Sequence, residues 1–270
     1  MTLFDAARPD TGPAKVTPAS VKPAKVKMVV AYDGTEFSGF AAQRNQPGVR
    51  TVGGVLAEAI AKVLRHEVEL TCAGRTDAGV HAWGQVVSFA TEPGLDEWRL
   101  QSAVNSMLGP EVVVRSCETV EPEFDARHGA RLRRYRHTIL NRPVPDPFRD
   151  RFVWWIADPL DLRALRLAAD VFVGEHDFSA FCRKGAEGSS LTRRVLESRW
   201  VDEGDGVLRY EICANAFCWQ MVRAITGTLV EVGTGKRRPG ELLAVLRGGD
   251  RNAAGQMAPA RGLCLWEVGY

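Results

Sequence analysis

The segment GRTDAGVHA, residues 74–82, holds the densest set of residue types that could do chemistry. Its two glycines let the backbone turn tightly and let a ligand approach closely. Asp77 at its centre is a candidate nucleophile or base. Asp77 would equally serve as a turn residue that accepts hydrogen bonds from neighbouring N–H groups, so both interpretations stay open. His81 alone is typical of a structural, hydrogen-bonding histidine.

A second candidate is Arg223, the only charged residue between Ile212 and Val230. Its neighbours recur as apolar residues at helical spacing, which predicts a buried helix. A buried guanidinium needs a carboxylate or several carbonyls around it, and Asp77 is the most economical partner. The alternative is an arginine that emerges at the edge of the apolar face. Gly227, one turn further on, leaves room for another segment or a ligand.

A third candidate is the arginine-rich stretch 127–136, which has no acidic residue from 126 to 145. In a strand, Arg133, Tyr135 and His137 would share one face, while Arg134 would lie on the other. An aromatic ring among guanidinium groups suits a nucleobase stacked beside its phosphates. A solvated charged strand is the ordinary alternative. Five arginines in ten residues favour RNA or another polyanion as the partner.

The composition is that of a water-soluble globular protein of 270 residues, with 45% hydrophobic and 25% charged residues. The net charge is only +2, so affinity for a polyanion must come from local patches. The six cysteines form no C-x-x-C pair, which argues against a structural zinc site and for reduced thiols. No apolar segment is long enough to span a bilayer, and we expect a cytosolic protein.

The elements that must position these residues follow the order β-α-β-β-α-β in the first half of the chain. Strands are expected at 26–32, 67–72, 84–90 and 111–120, and helices at 51–65 and 96–108. This is the order of a ferredoxin-like split unit.

The second half is similar in kind. Strands are expected at 133–140, 152–157, 195–202, 207–214 and 263–269, and helices at 162–174, 217–232 and 239–246. The fold class is therefore α+β, with two halves that each carry a mainly antiparallel sheet flanked by helices. We expect a disordered basic tail at 1–24, an N-terminal half at 25–142 and a C-terminal half at 148–270, with the proline-rich segment 143–147 between them.

Five segments in this order resemble the bacterial tRNA pseudouridine synthase A family: GRTDAGVHA, FDARHGARLRRYRH, GEHDFSAF, ANAFCWQMVRAITGTLVEVG and APARGLCLWEVGY. The resemblance runs from about Val26 to Tyr270. It implies the pseudouridine synthase fold and isomerisation of uridine to pseudouridine at positions 38–40 of the tRNA anticodon stem-loop. It implies no metal and no cofactor, and a cytoplasmic homodimer bridged by tRNA.

The resemblance also implies roles for individual residues. Asp77 is the expected catalytic nucleophile, Tyr135 packs on the target base, and Arg223 pairs with the catalytic carboxylate. Arg75 lies beside that carboxylate, and the arginines flanking the tyrosine are expected substrate contacts, namely Arg133 and Arg134. Family members usually carry a second tyrosine where this chain has His137.

Two alternatives remain at this stage. One is an RNA-binding or RNA-folding protein that does not catalyse, for which Asp77→Ala would change no activity. The other is an enzyme with the same site but a different RNA substrate. An intact GRTDAGVHA segment together with Tyr135 and Arg223 favours an active enzyme.

Overall fold

The computed structural model describes residues 23–41, 48–183 and 190–270. The basic tail expected at 1–24 lies almost entirely outside these residues. Within the described ranges, no helix has the length and apolar character needed to cross a membrane.

The N-terminal half is a complete ferredoxin-like unit. It comprises β1 Ala24–Tyr32, α1 Val52–Leu64, β2 Thr71–Cys72, β3 His81–Thr91, α2 Glu97–Leu108 and β4 Val112–Val120. β1 lies between β4 and β3, and β2 pairs with the far edge of β3, all antiparallel. The Thr51 and Asp96 side chains cap the two helices by accepting from Gly54 N and Arg99 N.

The C-terminal half repeats this topology with additions. Its elements are β5 Leu132–Asn141, β6 Trp154–Ile156, α3 Leu162–Ala169, β7 Gly174–Asp177, β8 Thr192–Gly204, β9 Val207–Ala214, α4 Met221–Gly233, α5 Glu241–Gly248 and β10 Leu263–Gly269. β5 lies between β10 and β9, and β8 follows β9, again antiparallel. Strand order therefore matches that of the N-terminal half.

The two halves share one sheet, because β10 pairs with both β5 and β3. The β10–β3 contact is parallel and short, with Cys264 opposite His81 and Leu265 opposite Ala82. β2 and β10 thus occupy different stretches of the same edge of β3. A continuous apolar core runs beneath the helices of both halves. The loop between β2 and β3, which contains Asp77, consequently lies where the halves meet.

The expected α+β class with two ferredoxin-like halves is confirmed, and several element boundaries need correction. The strand expected at 67–72 is reduced to Thr71–Cys72. The helix expected at 162–174 ends at Ala169; a short 3-10 turn follows, and Gly174 at φ +115° begins a strand that the sequence pattern did not indicate. The helix expected from residue 217 begins at Met221, because Gln220 at φ 64° has left-handed backbone geometry.

Candidate active site

The loop that contains Asp77 is held in place by the N-terminal half. Gln85, which is fully buried, donates to Gly74 O at 2.6 Å, and the Tyr32 and Thr76 hydroxyls lie 2.8 Å apart. Val80 N closes the turn by donating to Asp77 O at 3.1 Å. These bonds fix the loop backbone on both sides of the carboxylate.

A close backbone approach brings the segment before α1 against this loop. Phe40 N donates to Thr76 O at 3.1 Å. Gly39, at φ +94°, lies so near that an added Cβ would be 2.7 Å from Thr76 O. A side chain here would push the loop away and strain the backbone, so glycine is required on both counts.

Arg223 of α4 reaches across from the C-terminal half to Asp77. Its Nη1 lies 3.6 Å from Asp77 Oδ2, with 17% of the arginine side chain and 29% of the aspartate side chain exposed. Arg223 Nε also donates to Ala258 O at 2.8 Å. Burial lowers the pKa of Arg223, and the facing carboxylate counteracts part of that shift. The pair expected from the sequence is therefore present, and it is partly open to solvent.

Gly227 explains how Arg223 is held. An added Cβ at Gly227 would be only 1.6 Å from Gln256 O, so the segment 256–258 lies directly on the helix surface. That contact lets Ala258 N donate to Arg223 O at 3.1 Å while Ala258 O accepts from the guanidinium. The room left by Gly227 is thus filled by another segment of this chain.

Trp219 is a site residue that the sequence pattern did not indicate. Its indole Nε1 donates to Asp77 Oδ1 at 3.0 Å. Helical spacing places Trp219 among apolar residues and carries no information about its N–H group. Because α4 begins two residues later, Trp219 lies in the turn before the helix and reaches the carboxylate from there.

Tyr135 of β5 lies beside the same loop. Its ring is 8% exposed and packs edge-on against Phe217, with ring centroids 5.0 Å apart. A Cβ on Gly74 would be 3.6 Å from the Tyr135 hydroxyl. Burial raises the pKa of Tyr135, and the Asp77 carboxylate raises it further, so the phenol keeps its proton at neutral pH.

The other sequence-predicted arginines have different surroundings. Arg75 is exposed and makes no hydrogen bond or ion pair with any residue that the structure describes. Arg134 lies on the opposite face of β5, where it pairs with Glu197 and, at 3.4 Å, with Glu267.

The Arg133 guanidinium hydrogen-bonds to backbone carbonyls within the protein. Its two terminal nitrogens donate at 2.8–2.9 Å to four backbone carbonyls, those of Ala73, Arg127, Ala130 and Asn215. These bonds tie the start of the Asp77 loop to the turn that precedes α4. They occupy all four N–H groups on the terminal nitrogens.

The two histidines near the site are structural. His81 Nε2 donates to Arg151 O and Arg261 O at 3.0 and 3.1 Å, and Nδ1 accepts from Gly34 N. His137 is fully buried, donates to Pro259 O at 3.1 Å, and has its pKa lowered to about 4 by burial. Burial also lowers the pKa of His81, and the Asp33 carboxylate, 3.2 Å from its Nδ1, counteracts part of that shift. The described residues contain no cluster of three His, Cys, Asp or Glu that could hold a metal.

This arrangement presents one carboxylate whose Oδ1 accepts a hydrogen bond from the Trp219 indole and whose Oδ2 forms an ion pair with the Arg223 guanidinium. Asp77 comes from the N-terminal half, whereas Trp219, Arg223 and Tyr135 come from the C-terminal half. Such a carboxylate is held in a fixed orientation, as covalent catalysis or proton abstraction requires.

Comparison with known proteins defines the class. Residues 28–128 and 168–270 match the family model described as tRNA pseudouridine synthase. The tRNA pseudouridine synthase A of Brevibacillus brevis is 43% identical over 249 residues, covering 91% of this chain and 99% of that protein. The enzyme of the same name from Shouchella clausii is 41% identical and covers 89% of this chain and 91% of that protein.

The chain therefore belongs to the tRNA pseudouridine synthase family. It is an isomerase that converts uridine to pseudouridine in tRNA.

Proposed function

We propose that this enzyme isomerises uridine at positions 38, 39 and/or 40 of the tRNA anticodon stem-loop, with Asp77 as the catalytic nucleophile. Two contacts to the Asp77 carboxylate support this role most strongly. Oδ1 accepts a hydrogen bond from Trp219 Nε1 at 3.0 Å, and Oδ2 forms an ion pair with Arg223 Nη1 at 3.6 Å. The position within tRNA rests on the family resemblance.

One carboxylate is sufficient for every step of this isomerisation. The target nucleotide leaves the base stack, and Asp77 attacks ribose C1′ as the N1–C1′ bond breaks. The uracil rotates within the site and C5 bonds to C1′, which releases Asp77; the C5 proton then passes to solvent and N1 regains a proton. No water is activated, in contrast with glycosidases that use two carboxylates.

Contact between Tyr135 and the uracil during this rearrangement is part of the proposal, and the location of Tyr135 beside the Asp77 loop supports it. Its hydroxyl is protonated at neutral pH and accepts no hydrogen bond from a described residue. Arg75 is the proposed contact for a phosphate next to the target, because it is exposed and makes no bond to a described residue. Substrate contact by Arg133 and Arg134 stays a prediction, because their observed bonds are made within the chain. The homodimer and the cytosolic location also stay predictions.

Mapping the product tests the proposed position. An unmodified tRNA transcript with uridine at 38–40 is incubated with enzyme, labelled with a carbodiimide that marks pseudouridine, and read by primer extension. We expect stops at 38–40, and none in a transcript that carries cytidine there with its pairing partners changed to match. Stops elsewhere would mean another target, and their complete absence in both transcripts would favour the non-catalytic alternative.

A further inference from the structure

Trp219 makes its contact with Asp77 from an unusual local structure. The turn closes through Met221 N donating to Cys218 O at 3.2 Å, and Gln220 within it adopts φ 64°. A non-glycine residue in this left-handed region is strained, because its Cβ lies too close to the backbone. Strain of this kind persists where the surrounding structure demands it, and it is frequent at active sites.

The Trp219 indole ring packs against Arg183 and remains partly open to solvent. Arg183 stacks on it, with the guanidinium carbon 4.4 Å from the ring, and Arg183 N donates to Trp219 O at 3.0 Å. The side chain is nevertheless 47% exposed. Burial of apolar area thus explains only part of its position, whereas its one directional contact points at the carboxylate.

The hydrogen bond from Trp219 and the ion pair with Arg223 together fix the carboxylate more fully than the ion pair alone. With Arg223 alone, the Asp77 carboxylate could rotate about its terminal torsion, which is broad for aspartate. Trp219 binds the other oxygen, Oδ1, so the plane of the carboxylate is set. Each oxygen keeps a lone pair for attack, since a carboxylate has about four acceptor positions.

We infer that Trp219 is a positioning residue, whose indole N–H orients the Asp77 carboxylate for attack on the ribose. This inference rests on the proposed role of Asp77. The competing use of an exposed tryptophan is as a platform on which an RNA base stacks, which would require its ring and not its N–H group.

Trp219→Phe separates these roles because it keeps an aromatic ring beside Arg183 and removes the donor. We expect kcat for pseudouridine formation to fall about tenfold, since the lost bond is to a charged group, with KM and Kd for tRNA within twofold of wild type. Trp98→Phe, at a 76% exposed residue of α2, is the matched control and should change neither constant. Unchanged kcat and KM would overturn the inference in favour of base stacking, because phenylalanine keeps an aromatic ring. A raised KM with unchanged kcat would also overturn it, because the indole N–H would then serve binding and not turnover.

A spectroscopic measurement tests the contact without relying on activity. In protein carrying ¹⁵N-labelled tryptophan, the Trp219 indole N–H signal is identified by its loss in Trp219→Phe. We expect Asp77→Ala to shift this signal and to leave the Trp98 signal in place. An unmoved Trp219 signal would show that the bond is absent in solution. Failure of the proposed function would appear separately, as turnover by Asp77→Ala.

Discussion

The chemistry of this site centres on one carboxylate and the few side chains around it. Asp77 meets one indole N–H and one guanidinium, and a phenol that keeps its proton lies nearby. The Asp77–Arg223 pair was predictable, because a single charge in a long apolar stretch demands a partner. Trp219 was not, because apolar periodicity does not register its N–H. The internal bonds of Arg133 were not predictable either, since two of their four acceptors, Ala73 O and Asn215 O, belong to segments distant in sequence.

Removal of Arg223 should affect both turnover and stability. We expect Arg223→Ala to lower kcat about 100-fold, as loss of a single charge-stabilising donor does in other sites. The free energy of unfolding should fall by about 1–3 kcal/mol, because the hydrogen bond to Ala258 O and the ion pair with Asp77 are both lost. Single-turnover assays and urea titration measure these effects.

Arg99→Ala is the matched control for that variant, because Arg99 is an exposed residue of α2 whose side chain makes no hydrogen bond or ion pair with a described residue. It should leave both quantities within error of wild type. Wild-type turnover and stability in Arg223→Ala would contradict the importance of the ion pair.

At the scale of elements, α4 and the turn before it bring the C-terminal half to the catalytic loop. The sequence indicated this helix through its apolar residues, and it suggested through Gly227 that something approaches it closely. It did not indicate where the helix begins, because the left-handed Gln220 depends on tertiary contacts. The sequence also does not indicate the short 3-10 turn and the strand after α3. The reason is that LRALRLAADVFVG keeps helical spacing past Ala169, where the helix ends.

Two helical glycines provide a matched test of α4 packing. Gly227→Ala would place a Cβ 1.6 Å from Gln256 O, so the segment 256–258 must move and Arg223 must lose its hold. We expect a loss of about 1–3 kcal/mol in unfolding free energy, as overpacking typically costs, together with reduced kcat.

In Gly248→Ala of α5, the added Cβ has no heavy atom within 4 Å. This substitution should instead stabilise the protein by up to about 1 kcal/mol, because alanine favours the helix over glycine. Thermal and urea unfolding of both variants would check the contrast. Equal stabilities would show that the close approach of 256–258 to α4 is not required.

At the scale of the whole molecule, one sheet joins two similar halves through β10, and the active site lies at this junction. The sequence predicted two α+β halves because each shows its own run of strands and helices. Whether the sheets join is not predictable from the sequence, because a pairing of only two residues between β10 and β3 has no signature in hydropathy. The boundaries 25–142 and 148–270 remain a prediction.

Buried His137 should make stability depend on pH. Its pKa falls from 6.5 to about 4 on folding, so below pH 6.5 the unfolded chain binds a proton that the native state does not. Stability is therefore lost as pH falls from 6.5 to about 4, and this group accounts for about 3 kcal/mol. His137→Gln, compared with wild type by urea titration across this window, should remove that share, whereas His81 continues to titrate in both proteins. Identical pH profiles would contradict the neutral, buried state of His137.

The most direct test of the central claim is tritium release from tRNA carrying 5-tritiated uridine, comparing wild type with Asp77→Ala. Formation of the C5–C1′ bond expels the C5 hydrogen, so release counts turnovers. We expect stoichiometric release by wild type and none by Asp77→Ala, with tRNA affinity of the variant within a few-fold. Release by Asp77→Ala at a rate near that of wild type would contradict the assignment of Asp77 as the nucleophile.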